Sequence, residues 1–256
     1  MRVTSIQLAM SDKPKKTNVE HALRMIDRAP PSDLILLPEV WPCGFFSFDR
    51  YRDDSEALDG FTVNAFKDMA RKRNCHIFMG SMIESEGGNL YNTSIFLNPK
   101  GDVVARYRKI HLFGYQSKEA EILTPGKDVV VADCPWGTSG FSTCYDLRFP
   151  ELFRCMVDRG ARFFLVASAW PQIRLEAWRL FNRCRAHENL AFLISCNCAG
   201  ANHNTKYAGH SMVVDPLGQV VVEGGEEEQF ITAEIKPELV EAVRRDFPAL
   251  RDRVLG

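Results

Sequence analysis

The feature that most constrains the fold is a hairpin pattern that occurs twice along the chain. Residues 94–104 and 211–221 both read Ser, three apolar residues, Asn or Asp, Pro, any residue, Gly, any residue and two valines. A Pro-x-Gly turn between two apolar segments is a strong hairpin signal. The repetition predicts two pseudo-equivalent halves, although Asn/Asp-Pro-x-Gly is also a common turn that unrelated hairpins share.

The same order of strands and helices precedes each hairpin. Apolar periodicity predicts the elements of the first half as strands at 2–10, 33–37 and 75–83 and helices at 18–29 and 60–74. It predicts those of the second half as strands at 139–143, 161–169 and 190–198 and helices at 150–159 and 175–188. We therefore expect an α+β fold, in which each sheet has a helical layer on one face and the other sheet on its other face.

The length of 256 residues is compatible with one large domain, 1–256. A last strand at 230–235 and a Pro-started helix at 237–247 follow the second hairpin. The remaining tail, 248–256, has no partner among the predicted elements of its own chain. We therefore expect it to pack on a partner subunit.

The charge pattern excludes several classes of partner. The 32 Lys and Arg residues nearly cancel the 33 Asp and Glu residues, and no run of like charge is longer than Glu226-Glu227-Glu228. This leaves no electrostatic basis for nucleic acid or an anionic membrane as the main partner.

No apolar stretch approaches the ~20 residues of a membrane helix, and the first residues read as a strand rather than a signal peptide. We expect a cytoplasmic protein.

The eight cysteines give no sign of a metal site or a disulfide framework. None forms a C-x-x-C pair, and Cys196-Asn197-Cys198 lies inside an apolar run. In a reducing compartment such cysteines stay free and most are small buried residues. We expect one or two of them at most to carry chemistry.

Three residues at the ends of predicted strands are candidates for chemistry, because ligands collect at such strand ends in α/β sheets. Glu39 directly follows a short apolar strand, and Lys109 follows the strand of the first hairpin. Cys144 stands where another strand breaks, shortly before a helix that starts near Pro150. Such a corner presents a nucleophile and leaves the next backbone N–H, that of Tyr145, free to bind an oxyanion. The alternative is that none of the three is catalytic: Glu39 would be a surface residue in a loop, Lys109 an ordinary lysine and Cys144 an inert buried cysteine.

The segments around these candidates resemble the three catalytic motifs of the nitrilase superfamily of carbon–nitrogen hydrolases. They are Leu36-Leu37-Pro38-Glu39, Arg108-Lys109-Ile110-His111-Leu112-Phe113 and Cys144-Tyr145-Asp146-Leu147-Arg148-Phe149-Pro150-Glu151. They occur in the family's order and the resemblance spans nearly the whole chain. It implies a four-layer α-β-β-α sandwich of two halves, a homodimer or larger homo-oligomer, and hydrolysis of a small amide without a cofactor or metal.

The resemblance also implies a role for each motif residue. Glu39 corresponds to the general base, Lys109 to the group that stabilises the tetrahedral intermediate, and Cys144 to the nucleophile that forms a thioester. An auxiliary glutamate is expected before a Pro-Gly turn, where Glu119 is favoured and Glu121 is a rival. The chain departs from many members in having Thr rather than an apolar residue just before the cysteine.

Four segments, 109–113, 169–171, 183–189 and 247–250, are similar to the ω-amidase branch, which hydrolyses ω-amides of dicarboxylates such as 2-oxoglutaramate and releases ammonia. Arg174 is then a candidate for binding the remote carboxylate, and Trp170 a candidate for the pocket wall. A solvated helix start and a core-filling side chain are their structural alternatives. A nitrilase or carbamoyl-amide hydrolase of the same superfamily, or a non-catalytic binding protein with this fold, remains an alternative function.

Overall fold

Two six-stranded sheets and one small sheet form the frame of the computed structural model, which describes residues 1–254. In pairing order, the first sheet consists of Gln229–Glu234 (β15), Arg2–Gln7 (β1), Leu34–Leu36 (β3), His76–Glu86 (β4), Asn89–Leu97 (β5) and Val103–Arg108 (β6). The second consists of Val220–Glu223 (β14), Met212–Val214 (β13), Phe192–Asn197 (β10), Phe163–Ser168 (β9), Ser139–Thr143 (β8) and Val131–Ala132 (β7). The third pairs Thr205–Lys206 (β12), Ala199–Asn202 (β11) and Ala9–Met10 (β2).

The two large sheets have the same topology. In the first, β1, β3 and β4 are parallel, β5 and β6 follow as antiparallel strands, and β15 closes the other edge. In the second, β8, β9 and β10 are parallel, β13 and β14 are antiparallel, and β7 closes the edge. The predicted α+β fold of two pseudo-equivalent halves is confirmed.

Helices form the two outer layers of the sandwich. The long helices are Lys15–Arg28 (α1), Phe61–Arg73 (α3), Pro150–Asp158 (α5), Leu175–Asn189 (α6) and Leu239–Asp246 (α7), and two single-turn helices, Tyr51–Asp54 (α2) and Glu119–Ile122 (α4), lie in the loops. In α1, buried Val19, Ala22 and Ile26 recur at helical spacing and therefore share one face. That face and the apolar face of α3 belong to one cluster with the first sheet, whereas α5 and α6 pack with the second.

Aromatic rings fill the space between the two sheets. Phe78 and Phe96 of the first sheet lie 5.6 and 5.3 Å, centroid to centroid, from Phe141 of the second. All three side chains are almost fully buried. Burying a side chain of this size contributes about 1.5–3 kcal/mol, so this layer fixes the two halves, and with them their strand ends, against each other.

The structure differs from the sequence-based expectation at both ends of the chain. The strand predicted at 2–10 is divided, because β1 pairs in the first sheet whereas β2 turns away to pair with β11. The tail has a partner in its own chain, since Arg253 donates to Asp158 of α5 at 2.7 Å. The packing of the tail on a partner subunit stays a prediction, and Leu255 and Gly256 lie outside the described residues. Among the helices of residues 1–254, none has the length and apolarity that crossing a membrane requires.

Candidate active site

Cys144 lies at a sharp corner between β8 and a 3₁₀ helix, Cys144–Arg148. Its φ of +48° is in the left-handed region, which a non-glycine residue adopts only when its surroundings hold it there. A capping box holds this corner, because Thr143 N donates to an Asp146 carboxylate oxygen at 2.9 Å while the Thr143 side chain caps the helix. As the second residue of the helix, Tyr145 has no preceding helical carbonyl for its N–H to bond.

The carboxylate of Asp146 anchors the corner to the neighbouring loop. It is fully buried and accepts hydrogen bonds from the Tyr107 hydroxyl at 2.6 Å and from His111 Nδ1 at 2.7 Å. The His111 backbone N–H donates to the same carboxylate at 3.1 Å. The His111 ring also stacks on Phe149, with centroids 3.7 Å apart. This network joins the end of β6 to the corner, so the backbone that carries Lys109 and the one that carries Cys144 are held together.

Glu39 is held by an equally constrained backbone at the end of β3. The next residue, Val40, has a φ of +44°, and the Glu39 N–H donates to the carbonyl of Ser168 at 3.2 Å. Gly80 makes room for this segment, because a Cβ on it would lie only 1.8 Å from the carbonyl oxygen of Pro38. Glu39 therefore faces the second sheet from the first, at the carboxyl ends of parallel strands in both.

Lys109 stands between two buried carboxylates. Its Nζ donates to Glu39 Oε1 at 2.8 Å and to both oxygens of Glu119 at 2.9 Å. Asn92 Nδ2 also donates to Glu39 Oε1 and Glu119 Oε1, at 2.9 Å each. All three charged side chains are inaccessible to solvent, whereas the rival Glu121 is exposed. The geometry thus places Glu119 beside Lys109, and Glu121 away from it.

Burial and neighbouring charges together shift the pKa values of these groups. Burial lowers the pKa of Lys109, but Glu119 and Glu39 outweigh it and hold that pKa above its ordinary value. Burial raises the pKa of Glu119, with Lys109 acting in the opposite direction. Burial also raises the pKa of the Cys144 thiol, and the charge of Glu39 adds to this effect. These directions favour the ammonium form of Lys109 and the neutral thiol form of Cys144.

A pocket opens over Cys144 and is walled mainly by aromatic side chains. Besides Cys144 and Tyr145, its lining comprises Phe45, Phe46, Phe113, Arg148, Ala169, Trp170, Pro171 and Arg174. The structure thus places Tyr145, Trp170 and Arg174 in one pocket with the cysteine. Within residues 1–254 neither guanidinium of this pocket forms an ion pair, and each lies near aromatic rings instead.

Sequence reasoning missed several residues of this site. Asn92 lies in a polar stretch of β5, Asn92-Thr93-Ser94, that does not single it out, and its partners are distant in sequence. Arg148 belongs to the third motif, yet nothing in its spacing shows that it lines the pocket. Ala169 donates to Glu39 Oε2 at 2.9 Å through its backbone N–H. Because every residue type except proline has this donor, the sequence gives no indication of the contact. In the described part of the chain, no group of three or more His, Cys, Asp or Glu side chains is arranged to hold a metal ion.

Comparison with known proteins places this geometry in a family. Residues 2–245 match the family of carbon-nitrogen hydrolases. A 2-oxoglutaramate amidase of Bacillus subtilis is 32% identical over 254 residues, which are 98% of this chain and 96% of that protein. A 2-oxoglutaramate amidase of Paenarthrobacter nicotinovorans is 33% identical over 230 residues, which are 87% of this chain and 78% of that protein.

Solved structures agree with the sequence comparison. Nit3 of Saccharomyces cerevisiae, a member of branch 10 of the nitrilase superfamily, superposes with a TM-score of 0.91 at 31% identity and covers 100% of this chain and 97% of its own. A Xanthomonas campestris protein with an arsenic adduct in its active site superposes with a TM-score of 0.92 at 31% identity, over 100% and 99% of the two chains. The chain belongs to the carbon–nitrogen hydrolase family, and it is an enzyme that hydrolyses amide carbon–nitrogen bonds.

Proposed function

We propose that the enzyme hydrolyses the terminal amide of a short dicarboxylate, such as 2-oxoglutaramate, and releases ammonia. The observation that carries this proposal is the pocket over Cys144, in which Arg148 and Arg174 are two cations without an acidic partner among residues 1–254. A substrate with an amide at one end and a carboxylate at the other fits a pocket with a nucleophile and a free guanidinium. Two relatives that cover most of this chain are named 2-oxoglutaramate amidase.

In the proposed acylation step, Glu39 takes the thiol proton of Cys144 as the sulfur attacks the amide carbonyl. Glu39 suits this role because hydrogen bonds to both its oxygens, from the Lys109 ammonium and from the Ala169 N–H, hold it in place. The carbonyl π bond breaks as the carbon–sulfur bond forms, so the negative charge moves to oxygen. The Tyr145 N–H and the Lys109 ammonium then stabilise that oxyanion.

Collapse of the tetrahedral intermediate completes the release of ammonia. The carbonyl re-forms, the carbon–nitrogen bond breaks, and the proton held by Glu39 passes to the leaving nitrogen. The product is a thioester on Cys144. Water activated by Glu39 then attacks the thioester, the thiolate leaves and recovers the proton, and the acid product departs. Glu119 keeps Lys109 oriented through its two hydrogen bonds at 2.9 Å.

Either arginine could hold the remote carboxylate, and their aromatic contacts distinguish them. The Arg148 guanidinium carbon lies 5.3 Å from the ring centroid of Trp170, within the second half of the fold. That of Arg174 lies 5.4 and 6.0 Å from the centroids of Phe113 and Tyr115, which belong to the loop before Glu119. We propose that Arg148 and Arg174 bind the remote carboxylate together, which adds Arg148 to the sequence-based candidate Arg174.

The test is ammonia release measured in parallel on 2-oxoglutaramate, a neutral amide of the same length, a carbamoyl compound and the corresponding nitrile. A charged hydrogen bond realised in the transition state should favour the acidic amide by about ten- to a hundredfold in kcat/KM. Arg148→Ala and Arg174→Ala should each reduce that preference by lowering kcat/KM for the acidic amide alone. The exposed Arg245→Ala, whose guanidinium pairs with adjacent Asp246, is the matched control.

Two outcomes would overturn the assignment. Equal loss on acidic and neutral amides in both pocket variants would show that the arginines support the fold only. No preference for the acidic amide in the unaltered enzyme, or faster hydrolysis of the nitrile or carbamoyl compound, would exclude an ω-amide as the substrate.

We also propose a homodimer in the cytoplasm. All eight cysteines are free thiols, a state maintained in reducing compartments. Ile173, in the 3₁₀ turn just before α6, and Leu180, on the surface of α6, are 90% and 63% exposed, and a second copy would cover this apolar surface. Sedimentation of the purified enzyme should give twice the chain mass, and Leu180→Glu should shift it to the monomer. A monomer before substitution would contradict the proposal.

A further inference from the structure

Ser168 ends the strand beside the nucleophile. Strand β9 runs parallel to β8 and their last paired residues are Thr143 and Ala167, so Cys144 and Ser168 each follow directly after the end of this pairing. Strand β9 also contacts the 3₁₀ helix that begins at Cys144. Ser168 is fully buried. Its side chain is therefore enclosed at the same strand end as the sulfur.

The backbone carbonyl and the side-chain hydroxyl of Ser168 differ in their hydrogen bonding. Its carbonyl oxygen accepts hydrogen bonds from the N–H groups of Glu39 at 3.2 Å and Cys198 at 3.1 Å. Its hydroxyl is buried and has no hydrogen-bond partner among the described residues. A buried hydroxyl without a partner costs free energy, so a structure that retains one calls for an explanation. A partner that becomes a strong acceptor only during the reaction would provide it.

The sulfur of Cys144 is such a partner. A neutral thiol is a weak acceptor, whereas a thiolate carries a full charge and accepts strongly. Burial and Glu39 raise the pKa of the Cys144 thiol, while Lys109, the Ser168 hydroxyl and the Ala169 N–H act to lower it. The hydroxyl thus lies where it can favour the charged form of the sulfur.

We propose that the Ser168 hydroxyl donates a hydrogen bond to the Cys144 sulfur whenever that sulfur is a thiolate. In acylation the thiol proton passes to Glu39 and Ser168 keeps its own, so the serine only stabilises the charge. In deacylation the carbon–sulfur bond breaks, and the same hydrogen bond stabilises the leaving thiolate. This inference rests on the proposed role of Cys144 as nucleophile and adds a catalytic residue to it.

The experiment compares Ser168→Ala with Ser142→Ala. Ser142 is the matched control because it is equally buried, lies on the adjacent strand β8, and also has a hydroxyl without a partner among residues 1–254. Three quantities are measured: kcat/KM on the best substrate, the rate at which iodoacetamide alkylates Cys144 as a function of pH, and the melting temperature. Peptide mass mapping restricts the alkylation measurement to Cys144. The variant Ser168→Thr, which keeps a hydroxyl, tests whether that group restores the alkylation rate.

Loss of a charged hydrogen bond predicts a kcat/KM about ten- to a hundredfold lower in Ser168→Ala. At any pH below the pKa of the thiol, the rate of Cys144 alkylation should fall about tenfold or more, since a rise of one unit in that pKa lowers the thiolate fraction tenfold. Ser142→Ala should leave both quantities unchanged, and Ser168→Thr should restore most of the alkylation rate. Melting temperatures of the two alanine variants should be similar.

An unchanged alkylation profile in Ser168→Ala, or equal losses in both alanine variants, would overturn the inference. The alkylation readout needs no substrate, so it reports on the hydrogen bond even if the substrate assignment fails. Activity retained in Cys144→Ala would instead show that the proposed nucleophile is wrong, and the two failures are therefore distinguishable.

Discussion

Lys109 places one positive charge between the carboxylates of Glu39 and Glu119, out of contact with water. Burying charges is costly unless each is paired and hydrogen-bonded. Here the Asn92 amide and the Ala169 N–H provide further donors to the carboxylates. At the scale of single residues, the site thus consists of an ammonium ion with its position fixed from two sides and a buried neutral thiol, from which we propose that Glu39 removes the proton.

Lys109→Met should abolish most of the activity. The substitution removes an oxyanion donor, which predicts a loss of about a hundredfold or more in kcat. It also leaves two buried carboxylates without their cation, which should lower the free energy of unfolding by about 3–5 kcal/mol. Lys206→Met is the control, because Lys206 is exposed and pairs with Glu226, which is also exposed. More than a tenth of the original kcat in the Lys109 variant would contradict its assigned role.

The resting enzyme should contain no thiolate at Cys144. Because burial and Glu39 raise the pKa of this thiol, its proton stays on sulfur through the working range of pH. The ultraviolet absorbance of thiolates, taken as the difference between the unaltered enzyme and Cys144→Ala, should show no step from roughly pH 6 to 9. A step near neutral pH would indicate a preformed ion pair and would remove the need for Glu39 as a base.

At the scale of elements, two strand ends in strained backbone conformations face each other. The segment after β3 carries Glu39 before a left-handed Val40, and the segment after β8 begins with a left-handed Cys144. Both conformations persist because neighbouring segments hold them through hydrogen bonds and close packing. The positions of the side chains therefore depend on backbone contacts as much as on the reacting groups.

Gly80→Ala tests this dependence. The new Cβ would lie 1.8 Å from the Pro38 carbonyl oxygen at a φ of +65°, so the segment that carries Glu39 must move. We expect a loss of about 1–3 kcal/mol in the free energy of unfolding together with a lower kcat. Gly87→Ala is the control, because Gly87 has a φ of +58° and nothing within 4 Å of the added Cβ. Equal effects on kcat in the two variants would argue against the proposed support of Glu39.

Periodic elements could be predicted from the sequence, and non-periodic ones could not. The strand at 139–143 coincides with β8, and the helix at 175–188 matches α6 to within one residue. The small sheet of β2, β11 and β12 was missed, because strands of two to four residues are too short to show a period. The split of the first predicted strand was missed for a related reason, since it depends on pairing with residues far along the chain.

In the candidate site, too, some features could be predicted from the sequence and others could not. Motif resemblance pointed to Glu39, Lys109 and Cys144 as candidates, and the structure places Lys109 against Glu39 and Glu119. No sequence pattern could indicate that Asn92 bridges two carboxylates, because Glu39 follows β3 and Glu119 lies in α4, both distant from Asn92 along the chain. Likewise, the unused hydroxyl of Ser168 is visible only once neighbouring strands are aligned in register.

At the scale of the whole molecule, the site lies where the two halves meet. Glu39 and Lys109 come from the first sheet, whereas Cys144 and the pocket residue Trp170 come from the second. The aromatic layer around Phe141 fixes the separation of the sheets. Activity therefore requires both halves in their native arrangement.

The intact enzyme should need neither a metal ion nor a disulfide. Its cysteines are free thiols, and the described residues hold no cluster of ligands for a metal. Ammonia release should therefore be unchanged after dialysis against a chelator, and unchanged or higher in the presence of a reductant that protects Cys144 from oxidation. Reversible loss of activity in either treatment would require a different mechanism.

The most direct test of the account is peptide mass mapping of the enzyme quenched in acid during turnover of 2-oxoglutaramate. We predict a thioester on the peptide that contains Cys144, with the substrate acyl group in place of the thiol hydrogen. The same peptide in Cys144→Ala should carry no adduct, and that variant should release no ammonia. An adduct on another cysteine, or ammonia release that persists in Cys144→Ala, would contradict the account.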